Sequence, residues 1–277
     1  MPRPDTRTAG VRAITSLQNE RVKLIRSLEM RKARRETGLF AAEGAAVLVT
    51  AREAGWRPRM LAFLAGSAQS GVPRGLVAWG EAAGAECLEV SEAVLAKLAA
   101  KDNPQTMLGV FEQRWAPEPQ AAAVAPDATW LALEEIRDPG NLGTILRTAD
   151  AVGAGGVILI GNAVDPYARE SVRASMGSIF NVGLVRMSVE RFRALAAGWP
   201  GDVVGTHLEA TEDFRKASYR APTLLVMGSE GPGLSPQLAA ACSRLVKIPM
   251  AGRLDSLNLA VATALVLYEI RRDRLRL

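Results

Sequence analysis

The stretch TLLVMGSEGPGLS, residues 223–235, decides the fold class. Five apolar or β-branched residues come first, the next six hold three glycines and a proline, and a helical pattern follows. That spacing predicts a strand, a tight turn and a helix. Turns of this kind often bind phosphates in α/β proteins. This one has neither the Gly-x-x-x-x-Gly-Lys spacing nor any cation, and it carries a carboxylate, Glu230. A ligand other than a phosphate is therefore expected there.

Outward from this turn, strand candidates recur at 130–136 (WLALEEI), 156–161 (GVILIG), 203–208 (VVGTHL) and 244–249 (RLVKIP), separated by helical patterns. Repeated βα units predict an α/β domain with a mostly parallel sheet. The last helix is expected from residue 256 to about 272. Ligands of open parallel sheets collect beyond the carboxyl ends of the strands. The polar residues there form one set: Asp138-Pro139-Gly140 as a turn, Asn141 at a helix start, Arg147 six residues on, Thr206-His207, Ser229-Glu230, and Asp255, Ser256 and Asn258.

Toward the N-terminus, short apolar segments at 60–65, 75–79 and 108–113 alternate with helical patterns such as 91–100, which predicts a smaller α/β domain. Between the two, WAPEPQAAAVAPDAT (115–129) places three prolines among small residues, the composition of a semi-stiff connector. The expected organisation is a flexible N-terminus at 1–10, a first domain at 11–114, a linker at 115–128 and a second domain at 129–277.

With 48% hydrophobic residues the chain can bury a substantial core, yet no apolar run approaches the roughly 20 residues that span a bilayer. The start, MPRPDTRTAG, has no apolar leader segment, so a soluble, unsecreted, cytoplasmic protein is expected. Two distant cysteines, Cys87 and Cys242, and one histidine exclude metal-ligand spacing, so no metal is expected. Charge is uneven: residues 1–60 hold 13 Lys/Arg against 6 Asp/Glu. Within them, residues 20–36 read as one amphipathic helix with Val22, Leu24, Ile25 and Leu28 near one face. Its cations Arg21, Arg26, Arg31, Lys32, Arg34 and Arg35 form either a solvated face or a surface for a polyanion such as RNA.

Three motifs in order carry a resemblance: DPGNLGTILRTADAVGAGGVIL from Asp138, LVMGSEGPGLS from Leu225 and IPMAGRLDSLNLAVATALVLYE from Ile248. With them the sequence resembles the SpoU (TrmH-type) RNA 2′-O-ribose methyltransferases of the SPOUT class. ITSLQNERVKLIRSL and GLFAAEGAAVLVTA, from Ile14 and Gly38, resemble the substrate-binding domain of many members, a fold akin to RNA-binding ribosomal proteins.

The resemblance implies a deep trefoil knot in the C-terminal domain, S-adenosylmethionine as methyl donor, a homodimer, and a substrate that is structured RNA, ribosomal before transfer RNA. It implies that Gly228 lets the cofactor approach without a Cβ, that Ile248, Met250 and Leu257 line the adenosine pocket, and that Thr206 joins them from the neighbouring loop. The catalytic set would be Arg147, Asn141, Glu230, Ser256 and Asn258, with Glu230 holding Asn141 or the third-motif loop. Arg147 is the family's usual activator of the ribose hydroxyl. A guanidinium with a pKa above about 12 is a poor base, so orientation of the ribose or its phosphate is the preferred role. His207 is the alternative base, and helix capping is the structural alternative for Asn141, Ser256 and Asn258. The competing functions are a non-catalytic RNA-binding protein of the same fold and an ordinary nucleotide-binding enzyme. The latter is disfavoured because no Gly-x-Gly-x-x-Gly follows the first strand of either domain.

Overall fold

A computed structural model describes residues 10–99 and 105–275. The N-terminal segment expected to be flexible, 1–10, lies outside them except for Gly10. In chain order the first elements are β1 (Arg12–Ile14), α1 (Glu20–Ser27), α2 (Arg31–Thr37), β2 (Leu39–Glu43), α3 (Ala45–Glu53), β3 (Met60–Leu64), α4 (Gly71–Ala82), β4 (Glu86–Val90), α5 (Glu92–Leu98) and β5 (Met107–Glu112). Then come β6 (Thr129–Glu134), α6 (Pro139–Ala151), β7 (Gly156–Ile160), α7 (Arg169–Ala174), β8 (Leu184–Met187), α8 (Val189–Ala197) and β9 (Val203–Thr206). The last are β10 (Glu212–Asp213), β11 (Thr223–Met227), α9 (Pro236–Ala239), β12 (Arg244–Lys247) and α10 (Leu259–Arg271).

The chain forms two compact units, one of residues Met1–Gln113 with Tyr167–Phe180 and the other of Arg114–Pro166 with Asn181–Leu277. In the first, the strands are ordered β1-β4-β3-β5-β2, with β5 antiparallel to both neighbours. One side of its core joins Val22, Ile25 and Leu28 to Leu88, Val90 and Val94. Another part of that core is aromatic. Phe40 lies 4.6 Å from Tyr167 and 5.9 Å from Phe180 between ring centroids, and Trp56 donates its indole N–H to the Phe180 carbonyl at 2.8 Å. Arg169 of α7 adds ion pairs to Glu29 and Glu43. Residues 167–180 thus pack with the first unit although they lie inside the range 129–277 expected of the second domain.

Two local features differ from the expected ones. The single helix expected over 20–36 is broken into α1 and α2, and across the break the Arg34 guanidinium turns back and donates to the carbonyls of Leu28 and Glu29, both at 2.8 Å. The apolar segment 75–79 lies within α4, which buries Leu76, Val77 and Gly80, a helical rather than an alternating spacing.

In the second unit the sheet runs β10-β12-β9-β11-β6-β7-β8, and every pairing in it is parallel. Strand β11, the quoted stretch, is buried throughout and pairs with β6 from Thr223 opposite Thr129 to Met227 opposite Leu133. A strand covered on both faces reads as a continuous apolar run, which is why it was legible. Strands β8 and β10, only four and two residues long, were not. The proline-rich connector is laid along the β8 edge: Ala116 donates to the Leu184 carbonyl at 2.8 Å, Arg191 pairs with Glu118, and the Arg186 guanidinium sits 3.9 Å from the Trp115 ring centre. An edge covered this way is closed to further strand pairing. Among the described residues, no helix is long and apolar enough to cross a membrane.

Candidate active site

The carboxyl ends of β6, β9, β11 and β12 point into four loops that enclose a cavity of about 690 Å³. Its walls come from Thr206, His207 and Glu209 after β9, Gly228 and Glu230 after β11, and Ile248 and Met250 after β12. Asp255, Ser256, Leu257 and Asn258, ahead of α10, and Asn141 of α6 complete it. Nine of the ten residues expected to bind cofactor or to act in catalysis therefore meet in one place.

Three of them form a hydrogen-bonded chain that ties the three motifs together. Asn258 donates its side-chain amide to Asn141 Oδ1 at 2.9 Å, and Asn141 donates its own amide to Glu230 Oε1 at 3.1 Å. Glu230 also accepts from the backbone N–H of Arg137 at 3.0 Å and of Asp138 at 3.3 Å. The direction of the chain is forced. Asn258 Oδ1 is taken up by the N–H groups of Ala260 and Val261, and Glu230 can only accept, so each amide has one workable orientation. Partial burial pushes the Glu230 carboxyl up. The donors Asn141, Arg137 and Asp138 together outweigh that, and its pKa lies below the usual value, which keeps it ionised.

The caps fall elsewhere than expected. Helix α6 starts at Pro139 and is capped by Asp138, whose Oδ1 accepts the Asn141 N–H at 2.6 Å, so the Asn141 side chain is left for Glu230 and Asn258. Asn258 does cap α10, which begins at Leu259, whereas Ser256 precedes the helix and donates to Asp255.

The turn itself requires a glycine at 228. A Cβ there would stand 2.0 Å from the Gly233 carbonyl carbon and 2.1 Å from the Leu234 nitrogen. The turn folds back on itself through paired bonds between Ser229 and Gly233, each 3.1 Å, and Gly228 lies under the return. Glu134, buried at the end of β6, accepts the Ser235 N–H at 2.8 Å and fixes the far side of the same turn. Sequence reasoning did not single it out, although a carboxylate closing an apolar strand candidate was the available signal.

Arg147 is not brought into the cavity. It is exposed on α6 with no hydrogen bond or ion pair among the described residues, about 120° around the helix from Asn141 at 3.6 residues per turn. His207 does line the cavity, its Nδ1 accepting the Glu209 N–H at 3.2 Å. Beside α6 and α10 lies a second, apolar concavity, lined by Thr144 and Thr148 and by Val261, Leu265 and Tyr268, the last three 50%, 42% and 50% exposed. Among the described residues, no group of three or more His, Cys, Asp or Glu is placed to hold a metal ion.

The N-terminal cations separate into two kinds. Arg26, Arg31, Lys32 and Arg35 are exposed. Arg21 is committed to Glu86 through bonds of 2.8 and 3.1 Å. Arg34, expected on the RNA-facing surface, is only 4% exposed and serves the α1–α2 break, so it is withdrawn from that surface.

Residues 128–268 match the SpoU rRNA methylase family, and residues 19–109 match the MRM3-like substrate-binding domain. The chain is 34% identical to the 23S rRNA (uridine(2479)-2′-O)-methyltransferase of Streptomyces viridochromogenes, over 97% of this chain and 95% of that protein. Its structure is similar to that of an AdoMet-bound rRNA methyltransferase from Sinorhizobium meliloti, with a TM-score of 0.87 and 42% identity, covering 96% of this chain and 99% of that one. It also resembles the SpoU methyltransferase AviRb of S. viridochromogenes in complex with AdoMet, with a TM-score of 0.81 and 34% identity over 93% and 98% of the two chains.

Proposed function

The chain belongs to the SpoU rRNA methylase family, and from that premise we propose that it methylates the ribose 2′-hydroxyl of structured RNA with S-adenosylmethionine, ribosomal RNA being the first candidate and transfer RNA the second. The observation that carries this reading is the chain Glu230–Asn141–Asn258, which closes three loops around one cavity. The cavity suits the cofactor chemically. Glu209, Glu230 and Asp255 around it favour a sulfonium cation, and Ile248, Met250 and Leu257 offer apolar surface to an adenine ring.

Bound there, S-adenosylmethionine supplies an electrophilic methyl group. The protein's own part is positioning. Thr206, Gly228, Ile248, Met250 and Leu257 hold the donor, the Glu230–Asn141–Asn258 chain with Ser256 fixes the loops, and Arg147 orients the ribose or its phosphate from α6. Because Arg147 stands outside the cavity, the reading includes a second copy of the chain docked on the apolar concavity of α6 and α10, a homodimer whose approach completes the RNA site. The deep trefoil knot belongs to the same reading, supported by the place of β12 between β10 and β9 and by a hydrogen bond joining residues 117 apart. Residues 11–113 with 167–180 act as the RNA-binding domain, and the working compartment is the cytoplasm.

Calorimetry with a chelator present tests the cofactor assignment: S-adenosylmethionine binds with one site per chain and unchanged affinity. Binding that vanishes with the chelator, or a nicotinamide nucleotide bound in its place, would sink it. Comparing 2′-O-methyl sites in total RNA with and without the gene identifies the substrate, and an unchanged map would refute the activity.

Charge reversal at Arg31, Lys32 and Arg35 tests the RNA surface. RNA binding should weaken, and its log–log salt slope should flatten by about 0.7–0.9 for each lost phosphate contact, with cofactor affinity unmoved. Equal loss of both affinities would mean that α2 supports the fold instead.

A further inference from the structure

We infer that Arg137 is a substrate-positioning residue that takes an RNA phosphate at the mouth of the cavity, an assignment that rests on the methyltransferase reading. The cavity is lined by three carboxylates, Glu209, Glu230 and Asp255, against a single ammonium, Lys247. That balance welcomes a cationic methyl donor and repels the phosphates on either side of a target ribose. A polyanion can bring its sugar to such a mouth only where a cation at the rim offsets the repulsion.

Arg137 is the cation whose backbone is fastened to that rim. Its N–H donates to Glu230 Oε2 at 3.0 Å, and the next residue, Asp138, donates to Glu230 Oε1 at 3.3 Å, so two consecutive backbone amides pin the start of motif one to the cavity wall. The side chain is exposed and makes no hydrogen bond or ion pair among the described residues. An arginine held at its main chain and free at its head group keeps its planar fork for a phosphate, which it can meet through two N–H donors. Several other exposed cations are paired: Arg191 with Glu118, Arg215 with Asp213 and Arg272 with Glu269. Arg253, exposed between the lining residues Met250 and Asp255 and also without a hydrogen bond or ion pair among the described residues, lacks the backbone bonds to the cavity wall that hold Arg137. Arg147, also unpaired, sits along α6 rather than at its entrance.

Arg137 would therefore act on substrate capture, and Arg147 on the reaction itself. The test uses the full chain and an unmodified 23S ribosomal RNA transcript. Arg137→Ala should raise the KM for RNA by about tenfold and flatten the salt slope of RNA binding by about 0.7, while kcat stays within about twofold and S-adenosylmethionine affinity is unchanged. Arg137→Lys keeps the charge and should restore the slope and most of the affinity. An alanine variant with unchanged KM and slope, or one that loses cofactor affinity in parallel, would overturn the assignment. Should the wild-type chain bind this transcript without methylating it, the methyltransferase reading would fail on this RNA, and the binding slopes would still decide the role of Arg137.

Discussion

Arg147→Ala reduces methyl transfer to RNA by about a hundredfold or more while S-adenosylmethionine binds at close to its wild-type affinity. The separation follows from geometry. Asn141 lines the cavity and Arg147, six residues along α6, does not, so truncating the arginine leaves every wall of the cavity in place. Arg147→Lys keeps the charge and loses the planar fork, and it should be nearly as inactive if the fork orients the ribose. A tritiated-methyl assay on cognate RNA reads both variants. Near-normal turnover by the alanine variant would refute the assignment and move attention to His207, which lines the cavity and whose Nδ1 is occupied by the Glu209 N–H.

Gly228→Ala removes cofactor binding without touching a side chain that meets the cofactor. The new methyl carbon would lie 2.0–2.2 Å from the backbone of Gly233 and Leu234, and backbone cannot rotate away as a flexible side chain could. The paired bonds between Ser229 and Gly233 must open, and the Glu230 carboxylate moves with them. Overpacking of this kind costs about 1–3 kcal/mol, and in a chain of this size each kcal/mol lowers Tm by about 2–4 °C. Calorimetry should show affinity reduced by about a hundredfold or more. Gly231→Ala is the control, since nothing lies within 4 Å of its Cβ position and only its φ of +95° is strained. Equal tolerance of both substitutions would show that the turn is not closed in the way described.

Much of the second unit was legible because β7 and β11 are buried throughout and β6 nearly so, and the candidate site residues sit beyond strand ends, where apolar runs stop abruptly at Gly, Asn and Asp. The turn at 228–234 was found from glycine spacing alone. The crowding at Gly228 was not legible, because which atom meets it depends on how the loop returns, and the return is not written in the turn's own composition. Arg34 shows the same limit. Its charge placed it on a basic surface, yet two carbonyls freed by a helix break hold it inside, and neither the break nor its partners leave a periodic trace. Strands β8 and β10 are too short to show alternation, and nothing in the sequence of 167–180 marks these residues as part of the first unit, where Tyr167 faces Phe40 and Phe180 faces Trp56.

That last arrangement bears on how the protein is born. A ribosome releases residues 1–113 well before 167–180, so the nascent first unit emerges with Phe40, Trp56 and Phe111 still lacking Tyr167 and Phe180. Vectorial folding of this unit can therefore go no further than the packing that residues 167–180 do not supply. Its maturation is deferred until residue 180 is free, and a chaperone that shields exposed aromatic surface would find its window in that interval.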